Sequence, residues 1–227
     1  GMIGLMATGG STNHTIHLVA MARAAGIQID WNDFNDLSEV VPLIAKVYPN
    51  GQADINQFHA AGGVGSVIRE LLSAGLLHES VETVTGTGLG DYAQEPFMSD
   101  EVLTWRESPP AGDNADILST VDAPFRDKGG IKLLAGNLGR SVTKVSAVDP
   151  SNWVIEAPCR VFDSQEDAQA SFKANELDKD VVVVVRFQGP KANDLMARLF
   201  GEGIRDTKFF GTQTHAFGGR DHIIARS

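Results

Sequence analysis

The chain has 227 residues, 42% hydrophobic and 21% charged, and 29 acidic against 19 basic side chains give a formal net charge of −10. That size and composition suit a globular protein with one large or two small cores, and the acidic balance excludes non-specific nucleic-acid binding. The one cysteine, Cys159, excludes an internal disulfide and any Cys/His zinc pattern, and no apolar run nears the ~20 residues that span a bilayer.

No charged-then-apolar leader opens the sequence, so a soluble, cytoplasmic protein without membrane or nucleic-acid partners is expected. Residues Thr12 to Ala25 read as a helix that Ser11 or Thr12 can cap and Gly26 stops. Ile16, Leu18, Val19, Met21 and Ala22 cover most of its circumference, which predicts burial on most sides. Asn13-His14-Thr15 matches the glycosylation pattern, a chance match without a secretory signal. A second helical pattern runs through Phe34, Leu37, Val40, Val41, Ile44 and Val47 to the turn Tyr48-Pro49-Asn50-Gly51. A third starts at the N-cap candidate Asp54, breaks at Gly62 to Gly65, and resumes through Val67, Ile68, Leu71 and Leu72 to Gly75.

Periodicity fades between about Thr83 and Lys128, a stretch holding Gly86, Gly88, Gly90 and Pro109-Pro110. Residues 86–128 therefore read as a connection between two domains. From Gly129 onward the signals are β-like. Val142 to Val148 and Cys159 to Phe162 read as strands, and Ser164 with Asp167 caps a short helix through Phe172. Val181 to Val185 is a β-branched run typical of a strand buried on both faces. The expected fold class is α/β, helix-rich over 1–85 and strand-rich over 129–227.

Chemistry concentrates at Gly9 to His17. A helix N-terminus carries unpaired N–H groups and partial positive charge, which suit a carboxylate or phosphate. Gly9 and Gly10 let backbone approach a ligand, and Ser11, Thr12 and Asn13 add donors. Plain capping, which needs one of those polar residues, is the competing reading. His14 and His17 share a helical face and could reach one ligand; without a neighbouring carboxylate they favour a non-metal role. Gly62-Gly63-Val64-Gly65 and Gly86-Thr87-Gly88-Leu89-Gly90 match no phosphate-loop pattern and read as turns. Lys191 follows the valine strand, where it could meet an anion or lie in solvent.

The segment ATGGSTNHTIHLVAMARAAGI resembles the dihydroxy-acid/6-phosphogluconate dehydratase family. The likeness continues in order through YPNGQADIN, HAAGG, IRELLSAGLLHE, VDAPF, GGIKLLAGNLGR, KVSAV, EAPCRVFDSQEDA and DVVVVVRFQGPKAN, covering residues 1 to about 193. Asn13-His14-Thr15, YPNGQADIN and VRFQGPKAN lean towards the branch acting on 6-phosphogluconate. The resemblance implies dehydration of 6-phosphogluconate to 2-keto-3-deoxy-6-phosphogluconate, a step of the Entner–Doudoroff pathway. It implies a homodimer whose first domain ends with residues 1–85 of this chain and whose second, swivelling β-barrel-like domain is partly present in 129–227. Substrate contacts are implied for Ser11, Thr12, Asn13, His14, His17 and Lys191. The rivals are a dehydratase of another sugar acid or dihydroxy acid, and a non-catalytic anion-binding or assembly module.

The resemblance also implies a 4Fe–4S cluster and a divalent cation in the full-length family, which suits a dehydration that removes a proton beside a carboxylate and expels a poor leaving group. Neither cofactor is expected in this chain alone. The cluster cysteines belong to segments preceding this one, and Cys159 reads as a small buried side chain. After Asn193 the family continues with a metal-ligating Gly-Met-Pro-Glu, where this chain has Asp194-Leu195-Met196-Ala197. The segment bearing the catalytic serine has no counterpart, and residues 194–227 match nothing in the family. The expectation is part of a lyase, with no catalytic residue identified here and no activity by itself.

Overall fold

The computed structural model describes residues 1–48, 50–136, 139–146, 148–186, 211–217 and 220–226. Six helices are described: α1 (Met2–Thr8), α2 (Asn13–Ala24), α3 (Trp31–Val40), α4 (Ile55–Ala60), α5 (Gly63–Ser73) and α6 (Gln165–Lys173). The strands are β1 (Glu82–Thr83), β2 (Gly86–Thr87), β3 (Gln94–Ser99), β4 (Val102–Glu107), β5 (Ile131–Gly136), β6 (Gly139–Lys144), β7 (Cys159–Phe162), β8 (Val182–Val185), β9 (Gly211–Phe217) and β10 (Arg220–Arg226). Helix and strand are mixed, as an α/β class requires. Two compact units form: Gly1–Ser11 with Asp33–Gly130, and Thr12–Asn32 with Ile131–Ser227.

The first unit is built around an extended strip, where the sequence reading had placed helix. α3 stops at Val40 because Pro42 disfavours helical geometry at the residue before it. Val41, Leu43, Ile44 and Ala45 are then fully buried in extended backbone. Leu43 N–H donates to the Arg126 carbonyl at 2.9 Å, Lys46 N–H to Ile117 at 2.8 Å, and Ser119 N–H to Ile44 at 2.9 Å. These bonds zip the strip to residues 117–126, and Leu118 has no exposed surface. Burying each such aliphatic side chain contributes roughly 1.5–3 kcal/mol.

Asp54 caps α4 as the sequence suggested. Gln57 N–H donates to Asp54 Oδ1 at 2.8 Å while Asp54 N–H donates to Gln57 Oε1 at 2.9 Å, a reciprocal capping box. The break at Gly62 and Gly63 is real: both have positive φ, 112° and 56°, and a Cβ on Gly62 would lie 2.6 Å from the Pro109 carbonyl. The stretch read as a connection carries structure of its own. β3 and β4 pair antiparallel around Asp100 and Glu101, whose positive φ values of 49° and 64° match a two-residue hairpin turn.

The second unit is a six-stranded mixed sheet in the order β5-β6-β9-β10-β8-β7, with β5 and β7 as its edges. No closed barrel is seen among the described residues. β8 alternates instead of burying both faces: Val183 and Val185 are buried, Val182 and Val184 half-buried. The packed face meets Phe162 of β7, Leu177 and, from α6, Ala168, which leaves the opposite face less covered. β6 ends at Lys144, short of the predicted Val148. Cys159, predicted buried, is exposed at the start of the edge strand β7. α2 also departs from expectation: only Thr15 is fully buried, and Met21 is 66% exposed. Its apolar residues encircle the helix without forming one stripe, so no single packing partner can cover them.

Candidate functional site

The glycine turn is made by the end of α1. Leu5, Met6 and Ala7 anchor that helix in the core. Gly9 adopts left-handed geometry (φ 58°, ψ 38°), and the N–H groups of Gly9 and Gly10 both donate to the Leu5 carbonyl. The Ala7 carbonyl accepts from Ile44 and Ala45 N–H at 2.8 and 3.2 Å, tying the helix end to the buried strip.

A residue that sequence reasoning treated only as part of a turn enters here. Asn50 Nδ2 donates to the Thr8 carbonyl at 3.0 Å and the Gly9 carbonyl at 2.5 Å. The turn that presents it closes through Tyr48 N–H to Ala53 at 2.8 Å and packs tightly at Gly51, where a Cβ would meet the Lys46 carbonyl at 2.5 Å. An asparagine before a glycine marks a turn, but the partner of its side chain is 41 residues away and invisible in the sequence.

Ser11 ends the first unit and Thr12 opens the second. Thr12 occupies the N-cap position of α2 in right-handed helical geometry (φ −58°, ψ −22°) and makes no side-chain cap bond. The capping reading of Thr12 therefore fails, because that geometry turns its oxygen away from the first-turn N–H groups. Thr15 Oγ1 donates instead to the Thr12 carbonyl at 2.6 Å. Ser11 and Thr12 are half-buried, while Asn13, His14 and His17 are exposed. The structure thus brings Thr12, Asn13, His14 and His17 together on the first turns of one helix. Lys191 lies outside the described residues.

A second feature, unforeseen from sequence, is an open groove of about 580 Å³ in the first unit, lined by Arg69, Glu95, Arg106, Glu107, Ser108 and the two prolines after it. Both of its arginines and Glu95 are engaged. Arg69 donates to the Ser108 and Pro109 carbonyls at 2.9 Å each, and Arg106 Nε donates to the buried Glu95 at 2.6 Å. The Arg69 bonds tie α5 to the residues after β4, and the Arg106–Glu95 pair joins β4 to β3.

The family model described as Dihydroxy-acid/6-phosphogluconate dehydratase N-terminal matches residues 1–92, and its C-terminal counterpart matches residues 116–208. The chain belongs to the dihydroxy-acid/6-phosphogluconate dehydratase family. The second match runs past residue 193, where the likeness read in the sequence stops. The chain is 59% identical over 195 residues to the Phosphogluconate dehydratase of Escherichia coli (strain K12), covering 86% of this chain and 32% of that protein. It is 57% identical over 194 residues to the Phosphogluconate dehydratase of Pseudomonas aeruginosa, with the same shares. The Dihydroxy-acid dehydratase of Caldanaerobacter subterraneus subsp. tengcongensis is 39% identical over 196 residues, 86% of this chain and 33% of that protein. The chain thus spans about a third of the length of the curated relatives it matches.

Set against the 4Fe–4S cluster and divalent cation that the resemblance implies for this dehydratase family, the residues present do not fit. A cluster needs several thiolates and the chain has one, Cys159, exposed on an edge strand. Among the described residues no group of three or more His, Cys, Asp or Glu is placed to hold a metal ion. Among those residues, too, no helix is long and apolar enough to cross a membrane.

Proposed function

We propose that this chain is part of a hydro-lyase that removes water from 6-phosphogluconate to give 2-keto-3-deoxy-6-phosphogluconate, the Entner–Doudoroff dehydration. The observation that carries this reading is the gap in identity, 57–59% to two relatives named Phosphogluconate dehydratase against 39% to one named Dihydroxy-acid dehydratase. Within the reaction, the part proposed for this chain is binding. The first turn of α2 offers backbone N–H groups and helix-dipole charge to an anion, with Ser11, Thr12 and Asn13 supplying side-chain donors. An anion at a helix N-terminus gains about 0.3–1 kcal/mol, and up to about 2 kcal/mol when partly buried. His14 and His17 lie beside that turn, where their ring N–H groups add donors for phosphate. Lys191 is proposed as a further anion contact on its place after the valine run and on family resemblance. The whole enzyme is proposed to work as a cytoplasmic homodimer, with its cluster held by residues other than these.

Calorimetric titration of the chain tests the reading. Tighter binding of 6-phosphogluconate than of gluconate or a branched 2,3-dihydroxy acid is expected. Equal affinity for all three would count against the phosphorylated substrate.

A further inference from the structure

Asn50-Gly51 is the single Asn-Gly pair in the sequence. In a flexible chain that pair is the most labile setting for an asparagine, because glycine has no Cβ to keep its backbone nitrogen from the neighbouring side-chain amide. The fold needs both residues. Asn50 Nδ2 donates to the Thr8 and Gly9 carbonyls, acceptors that the end of α1 leaves without helical partners. Aspartate has no such hydrogens to give. Gly51 is fixed as well: a Cβ there would lie 2.5 Å from the Lys46 carbonyl oxygen and 2.9 Å from Lys46 Cβ. Thr8, Gly9, Lys46, Asn50 and Gly51 all belong to the first unit.

We propose that Asn50 is a deamidation site held closed by its own hydrogen bonds. In the folded chain the clamp draws Nδ2 across to the end of α1, and the Gly51 backbone is wedged against Lys46. Reaction waits on local opening of the turn. The Gly51 nitrogen then attacks Asn50 Cγ. A C–N bond forms, the Cγ–Nδ2 bond breaks, and Nδ2 leaves as ammonia with the Gly51 proton. Water opens the resulting cyclic imide at either carbonyl, giving aspartate or its β-linked isomer at position 50, with nothing oxidised or reduced. The product cannot remake the clamp. A carboxylate offers acceptors only, and it faces two carbonyl oxygens that it repels. Opening of the turn is reversible before this step and permanent after it.

The test follows the full chain in buffer and in urea by peptide mapping, which reads the mass gain as the amide NH2 is replaced by OH. Conversion at Asn50 should be roughly tenfold or more slower in the folded chain than in urea. Gly9→Ala strains the left-handed residue (φ 58°) whose carbonyl accepts from Asn50. That variant should convert faster than the wild type in buffer and at the same rate in urea. Amide hydrogen exchange reads the consequence. In the converted chain and in Asn50→Asp, the Gly9 and Gly10 N–H groups, both bonded to the Leu5 carbonyl, should exchange roughly tenfold or more faster. Buried Leu71 of α5 should keep its rate in every sample, which separates local opening from global unfolding. If Asn50→Asp fails to fold, the chain converted after folding carries the comparison. Equal conversion in buffer and urea would overturn the proposal, as would no conversion in urea or an unchanged rate in Gly9→Ala. So would wild-type exchange at Gly9 and Gly10 after conversion, or faster exchange at Leu71 alongside them.

Discussion

The Thr15 hydroxyl donates to the Thr12 carbonyl at 2.6 Å, and Thr15 has no exposed surface. Thr15 N–H reaches the same carbonyl at 3.1 Å. One oxygen at the start of α2 thus accepts twice and ties down the first turn from within. Thr15→Val keeps the shape and removes the hydroxyl. A loss of about 0.5–1.5 kcal/mol is expected, the ordinary net worth of one such bond, read from urea denaturation. An unchanged midpoint would show that the bond contributes nothing.

Two glycines should respond with opposite signs. A Cβ on Gly129 would lie 2.9 Å from Met6 Cβ and 3.0 Å from Ser38 Oγ, where α1 and α3 close on the chain. Gly129→Ala is expected to destabilise by about 1–3 kcal/mol through overpacking. Gly4 lies inside α1 with open space where its Cβ would go. Gly4→Ala is expected to stabilise by roughly 0.5–1 kcal/mol, because glycine loses the most backbone freedom in a helix. Thermal melts of the two variants moving in the same direction would contradict this account of packing.

Burial lowers the Lys144 ammonium from its ordinary value near 10.5 to about 8. The folded chain then releases this proton before the unfolded chain does. Between about pH 8 and 10.5 the unfolded state binds more protons, so this group's contribution to stability rises with pH across that window. Below pH 8 the cost of keeping the charge half-buried is present in full. Lys144→Met should therefore raise Tm at pH 7 and remove the gain between pH 8 and 10.5. A steeper pH dependence in the variant would refute the sign.

The 227-residue chain by itself is expected to form no 2-keto acid from 6-phosphogluconate. One thiol cannot supply the several thiolates a cluster requires. Anaerobic incubation with iron and sulfide, followed by visible absorbance and a 2-keto acid assay, checks this. Either signal above the blank would overturn it.

Sequence periodicity located α2, the α4–α5 pair and α6 because each has a local stop or cap: Gly26, Asp54 with Gly62, and Ser164. It failed at Val41 to Val47, whose spacing mimics a helix face. There the tertiary pairing with residues 117–126 and the backbone restriction from Pro42 decide the matter. The valine run could not reveal which face would be covered, since β-branched residues suit either environment. The glycine turn and the polar start of α2 were legible from composition alone. The clamp from Asn50 was not, because it joins groups 41 and 42 residues apart.

The start of α2 is proposed to bind the anionic sugar acid. Amide chemical-shift mapping of the labelled chain during titration with 6-phosphogluconate tests it most directly. Saturable shifts are expected at Ser11, Thr12 and Asn13, with His14 and His17 following, and weaker shifts with unphosphorylated gluconate. Shifts confined to other surfaces, or no saturable shift at millimolar ligand, would contradict it.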